Sequence, residues 1–253
     1  MMGIEAETRQ SPSLDATELR HFESLAKEWW DERGKFSGLH AFNPARLAFI
    51  VAEVKRWRKG QFNEFRPLQG LDVVDIGCGG GILSEPLARL GGTVTGIDPV
   101  EESVGVARAH AAKLGAPVTY RNVTAEDLAR EGLTFDVVVA SEVIEHVADP
   151  QSFLKTCRSL AKPGGLIVLS TLNRTSKSYG LAVFAAERIL GLVPPGTHDW
   201  KKFIKPDELA GALSDAGFAA TRRAGMIYKP LSGSWTLSDT DLSMNYLMSG
   251  EAV

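Results

Sequence analysis

The sequence predicts an α/β fold: a mostly parallel, Rossmann-like sheet with helices on both faces. Two observations carry that expectation. Apolar runs near 71–76, 93–97, 117–120, 135–140 and 165–170 alternate with helix-like segments near 82–90, 100–114, 125–130 and 150–161, as in βαβ units. The first run, ending Val73-Val74-Asp75-Ile76, enters the glycine turn Gly77-Cys78-Gly79-Gly80-Gly81, and the second ends in Asp98 about twenty residues on. Glycines there let backbone approach a nucleoside-bearing ligand, and the acid accepts from ribose hydroxyls.

Taken in order, residues 1–17 read as a disordered lead-in and 18–253 as one domain, with a helical cap over 18–60 and an insertion over 171–205. Asp15 and Glu18 have capping-box spacing for a helix carrying Leu19, Phe22, Leu25, Ala26, Trp29 and Trp30 on one face. Asn43-Pro44 reads as N-cap and first residue of a second helix running to about Trp57. The βαβ alternation follows, and Pro163-Gly164-Gly165 turns the chain into the fifth strand. The interval 171–205 breaks the alternation with an apolar stretch, Tyr179 to Leu192, and a polar, turn-rich segment through Lys202. It reads equally as a lid over the cofactor end of the sheet or as a core helix plus loop. A helix resting on a membrane is a third reading, with Lys201, Lys202 and Lys205 nearby to attract anionic lipid.

Bulk properties narrow the function classes. A 44% hydrophobic content over 253 residues supports a real core, and a net charge of −3 argues against general nucleic-acid binding. Two cysteines, Cys78 and Cys157, make no disulfide framework. With no signal-peptide pattern and no span-length apolar run, the expectation is a cytoplasmic chain.

The turn's spacing selects the cofactor. A dinucleotide fingerprint wants Gly or Ala where Ile82 stands, and Asp75 places a carboxylate beside the turn to bind a cationic group. Gly77, Gly79, Asp75 and Asp98, with Ile82 in place of a third glycine, therefore favour S-adenosylmethionine (AdoMet) over NAD. Ala125-Glu126-Asp127 is a candidate adenine neighbourhood, although an acid at a helix start also serves as a cap.

A second cluster follows the fourth strand. On a helical turn Glu142, Glu145 and His146 stand at i, i+3 and i+4, sharing one face. Such a set can remove a phenolic proton, with His146 and Glu142 as the catalytic pair. Alternatively, Glu142, Glu145 and His146 can bind a divalent cation, a hard ion such as magnesium. A third reading makes His146 a support for the Asp149-Pro150 turn.

Motifs spread along the chain carry a family resemblance. Trp29-Trp30-Asp31, Phe36, Leu39-His40, Asn43-Pro44-x-Arg46-Leu47, Ser170-Thr171-Leu172-Asn173-Arg174, Gly196-Thr197-His198-Asp199, Lys201-Lys202-Phe203-Ile204-Lys205-Pro206 and Asp241 to Tyr246 together resemble the ubiquinone-biosynthesis O-methyltransferases, from about residue 20 to residue 247. The resemblance implies methylation of catechol-type hydroxyls on polyprenylated rings, and a binding role for Arg46, Gly77, Asp98 and Ser141 toward AdoMet. Ser141 departs from the family, where a larger apolar side chain such as Met can stand. Related eukaryotic enzymes resemble the 142–146 triplet and are thought to use it for a divalent metal. A polyprenyl tail further implies peripheral contact with the inner face of a membrane through 179–192, or a biosynthetic assembly, with His198 as a candidate ring contact. Rival readings are a methyltransferase for another small molecule, an NAD-dependent dehydrogenase, and a non-catalytic AdoMet- or lipid-binding component.

Overall fold

The computed structural model describes residues 20, 23, 26–34, 36–180 and 200–253. After a 3₁₀ turn at Ala26–Glu28 come α1 (Ser37–Trp57), β1 (Asp72–Ile76), α2 (Ser84–Arg89), β2 (Thr93–Asp98) and α3 (Glu101–Leu114). These are followed by β3 (Val118–Asn122), α4 (Ala125–Arg130), β4 (Phe135–Ser141), a 3₁₀ turn at Ile144–His146, α5 (Pro150–Leu160) and β5 (Ala161–Leu172). The chain closes with α6 (Pro206–Asp215), β6 (Phe218–Lys229), β7 (Ser234–Ser238) and β8 (Asn245–Ala252).

The strands form one sheet in the order β3-β2-β1-β4-β5-β8-β6-β7. The first five pair in parallel, and β8, β6 and β7 extend the sheet antiparallel. Parallel strands buried on both faces explain the near-continuous apolar runs of β1 and β4. Alternation sends Val137 and Val139 into the core under α1 and α2, with Phe49, Ile50 and Leu87. Val138 and Ala140 face the opposite core with Leu128, Leu154, Leu209 and Phe218. Each large apolar side chain among these contributes about 1.5–3 kcal/mol by leaving water. Strand order reverses between β1 and β4, which opens a crevice at their carboxyl ends where such sheets bind ligands.

Several expectations need correction. The second helix begins at Ser37, so Pro44 lies inside it and Asn43 is no N-cap. An interior proline costs about 3 kcal/mol; burial of Phe49, Ile50 and Val54 offsets it, and Asn43 Nδ2 instead donates to Ile82 O at 2.9 Å. Trp29 and Trp30 lie in a turn rather than on a helix face, while the upstream part of that predicted helix falls outside the described residues. Pro163-Gly164-Gly165 sits in an irregularity of β5, where Phe135 pairs with Ala161 but Val137 with Leu166. The stretch 181–199, with most of the apolar 179–192 segment and His198, also lies outside the described residues. Among the described residues no helix is long and apolar enough to cross a membrane.

Candidate active site

The glycine turn at the end of β1 is built by close approach. Gly77 has φ of +69°, and a β-carbon there would stand 2.5 Å from Val143 Cγ2. Gly77 and Cys78 N–H donate to Ile97 O at 2.8 and 3.0 Å, tying the turn to β2. Asp98 closes it: Oδ2 accepts from Gly79 N–H at 3.0 Å and Oδ1 from Val100 N–H at 2.9 Å. Burial pushes the Asp98 carboxyl up to about 6, against the pull of those two bonds. Asp75 is buried in β1 and accepts from Ser84 Oγ at 2.5 Å. Burial raises it likewise to about 6, while Ser84 and the Arg46 charge act the other way. Cys78 is a buried free thiol, pushed well up by burial.

An N-terminal strap covers this turn. A β-carbon on Gly79 or Gly80 would collide with Trp29, so these glycines make room for the indole. Trp29 stacks on Phe36 at 3.9 Å between ring centroids and donates Nε1–H to Ser103 Oγ at 3.0 Å. Trp30 donates Nε1–H to Gly80 O at 2.9 Å and stacks on His110 at 3.4 Å. His110 Nδ1 in turn lies 2.7 Å from Glu85 Oε1, whose carboxylate is buried in α2. The strap's motif residues were visible in the sequence, but its contact with the turn was not: contacts across 50 and 74 residues leave no local pattern.

Across the crevice, Arg46 extends from α1 and is buried. Its Nη1 donates to Ser141 Oγ at 2.8 Å and its Nη2 to Leu39 O at 3.1 Å, while Nε is buried with no partner. Burial lowers its pKa, with Glu142 and Asp75 opposing. Ser141 thus contributes its hydroxyl where a larger apolar side chain was expected. That hydroxyl also lies 2.7 Å from Ser170 Oγ on β5, which donates to Glu142 Oε1 at 2.6 Å.

Glu142 corrects the helical-turn reading. Its φ of +56° places it outside the 3₁₀ turn, so Glu142, Glu145 and His146 do not share one helical face. Glu145 is buried and accepts from Thr171 Oγ1 at 2.9 Å. Its carboxyl is pushed up to about 7, first by burial, then by Glu142, with His146 pulling it down. Ser170 and Thr171 hydroxyls each engage one oxygen of these two carboxylates. Among the described residues, no group of three or more His, Cys, Asp or Glu side chains is arranged to hold a metal ion. In the Asp149-Pro150 turn, Asp149 Oδ1 accepts from Gln151 and Ser152 N–H at 3.0 and 3.1 Å. Asp127 completes a capping box with Thr124, so the cap reading of that acid describes its local role.

The crevice therefore brings together Arg46, Asp75, Gly77, Gly79, Asp98 and Ser141, with Glu142, Glu145 and His146 at its β4 side. The glycine cradle, the unpartnered Arg46 Nε and the paired carboxylates fit a cationic nucleoside cofactor with an amino-acid tail. Sequence reading missed Ser170 and Thr171 as site residues, although two hydroxyls ending an apolar strand were a usable signal.

Comparison with known proteins gives the family. A methyltransferase-domain family matches residues 53–222. A ubiquinone biosynthesis O-methyltransferase of Cereibacter sphaeroides is 51% identical, covering 93% of this chain and 95% of its own length. The Dinoroseobacter shibae protein of the same name is 48% identical, with 95% and 97% covered. In fold, the chain resembles magnesium protoporphyrin IX methyltransferase from Synechocystis with bound SAH, at a TM-score of 0.62 and 24% identity over 92% of this chain and 94% of that one. With this identity sustained over nearly the whole length, the chain belongs to the ubiquinone biosynthesis O-methyltransferase family, AdoMet-dependent enzymes on the class I methyltransferase fold.

Proposed function

We propose that the crevice between β1 and β4 transfers the AdoMet methyl group to a phenolic hydroxyl of a polyprenylated ring, an intermediate of ubiquinone biosynthesis. The observation that carries the residue roles is the meeting of Arg46, the Asp98-closed glycine turn and the 142–146 segment at one switch point of the sheet. AdoMet, when bound, supplies a methyl group made electrophilic by its sulfonium. Asp98 takes the ribose hydroxyls, Gly77 and Gly79 leave room for the backbone to approach, and Arg46 takes the carboxylate of the amino-acid tail. Asp75 offsets the cationic charge.

His146 would accept the phenolic proton as the acceptor oxygen takes the methyl group that bound AdoMet would supply. Glu142 orients the hydroxyl, and Glu145 stands behind His146 as a buried acid that steadies its charged form. The strap over the glycine turn keeps water from the transfer. Among the described residues no three His, Cys, Asp or Glu donors are grouped to hold a metal ion, and no step is routed through one. Membrane contact through 179–192 completes the reading; the apolar sequence there and the lysines at 201, 202 and 205 support it.

Methyl transfer from labelled AdoMet to a short-tailed prenyl catechol tests these roles. The wild-type chain should turn over, and His146→Ala should lower kcat by roughly 10²–10⁴ while AdoMet affinity stays within about threefold. Full activity in that variant would remove His146 as the base. Turnover lost with a chelator and restored by magnesium would instead return the triplet to a metal role.

The strap makes a separate prediction. Trp30→Ala loses an indole stack and a hydrogen bond to Gly80, and should weaken AdoMet binding about tenfold by calorimetry. Unchanged affinity would mean that the strap does not close the cofactor site.

A further inference from the structure

We propose that Ser170 is a positioning residue for Glu142, acting through a directed hydroxyl chain that begins at Arg46. The inference rests on the reading that Glu142 takes part in the transfer.

The direction of the chain follows from what each group can donate. A guanidinium has donors and no acceptor, so Ser141 Oγ must accept from Arg46 Nη1, at 2.8 Å. At the far end Ser170 Oγ gives its one proton to Glu142 Oε1, at 2.6 Å. The contact between the two serines, 2.7 Å long, then has one arrangement, with Ser141 donating and Ser170 accepting. Every link has one donor and one acceptor, and reversing the contact between the serines would take the proton that Ser170 gives to Glu142.

Ser170 also holds Glu142 by its backbone. Glu142 N–H donates to Ser170 O at 3.0 Å, at the residue whose φ of +56° is unusual for a side chain of this kind. A single buried serine thus fixes both the main chain and the carboxylate of Glu142. The strand geometry makes this possible: Ser141 and Ser170 are register partners on β4 and β5, so both hydroxyls leave the same face of the sheet, under α1 and Arg46. One end of the chain touches the residue assigned to the cofactor tail, and the other touches the residue assigned to the acceptor hydroxyl. Placement of the two reactants is thereby linked through four side chains.

A double-mutant cycle tests this. Ser170→Ala should lower kcat about tenfold, the scale of one charge-assisted hydrogen bond, with AdoMet Kd within about threefold. Glu142→Ala, which removes the acceptor, should lower kcat at least as far, and adding Ser170→Ala to it should cost nothing more. Ser170→Thr, which keeps the hydroxyl, should recover activity to within about twofold. A further tenfold loss in the double variant would overturn the proposal, because Ser170 would then act independently of Glu142. Wild-type kcat in Ser170→Ala would overturn it as well. Wild-type kcat in Glu142→Ala would instead defeat the assignment of Glu142 itself. Should Ser170→Ala fail to fold, the near-isosteric Ser170→Cys, a much weaker donor, replaces it in the same cycle, and the same two results would overturn the proposal.

Discussion

Gly77→Ala is expected to abolish measurable AdoMet binding and to cost roughly 2–4 kcal/mol of stability. Two effects add. The backbone at Gly77 has φ of +69°, where an L side chain costs about 1–2 kcal/mol, and the new methyl would stand 2.5 Å from Val143 Cγ2. Val143 cannot yield freely, since it joins Glu142 to the 3₁₀ turn of Ile144–His146 and packs against the core below β4. The clash therefore disturbs the cofactor cradle and the acceptor side of the crevice together. Gly115 supplies the control. It has nearly the same φ, +64°, at the end of α3, yet a β-carbon there meets nothing within 4 Å. Gly115→Ala should cost only the backbone share and leave AdoMet affinity unchanged. Urea denaturation of both variants measures the difference. Equal losses would show that Val143 moves aside and that the turn's shape, not its packing, excludes the methyl.

How much of this was legible in the sequence follows the range of the forces involved. The five parallel strands and their helices are local patterns: buried runs such as Val137-Val138-Val139 announce themselves. The antiparallel extension was not read, because β8 mixes Asn245, Ser249 and Gly250 into its strand and β6 is exposed over much of its length. At the site, Gly77 and Asp98 were singled out because backbone approach and ribose binding would call for those residue types at that spacing. Arg46 needed the family resemblance, since nothing local distinguishes it from a surface arginine. The error at 142–146 has a long-range cause. Helical spacing was assumed for Glu142, but its N–H is already given to Ser170 O, which fixes it in a left-handed conformation. Ser170 and the strap escaped notice for the same reason: their partners lie across the fold.

Stability and cofactor affinity are expected to move in opposite directions with pH. Asp75 and Asp98 are each raised from 3.8 to about 6, and Glu145 from 4.5 to about 7, all chiefly by burial. For each, the folded chain holds its proton at pH values where the unfolded chain has released it. Stability conferred by these protons is full below the unfolded values and is lost as pH rises toward 6 for the aspartates and toward 7 for Glu145. The unliganded chain should accordingly become easier to unfold in urea from pH 5 to pH 7 on their account. AdoMet reverses the sense. A cationic ligand near Asp75, and ribose hydroxyls donating to Asp98, favour the ionised carboxylates, so binding releases protons and affinity should rise with pH up to about 6. One coupled proton gives at most about tenfold per pH unit, and the rise should level off above 7. Asp75→Asn separates the two effects, because the amide keeps an acceptor for Ser84 Oγ but carries no charge. At pH 7 it should stabilise the unliganded chain by about 1–3 kcal/mol while weakening AdoMet binding. A variant that is less stable and binds AdoMet with unchanged affinity would make Asp75 only an acceptor for Ser84, leaving Arg46 and Asp98 to hold the cofactor without it.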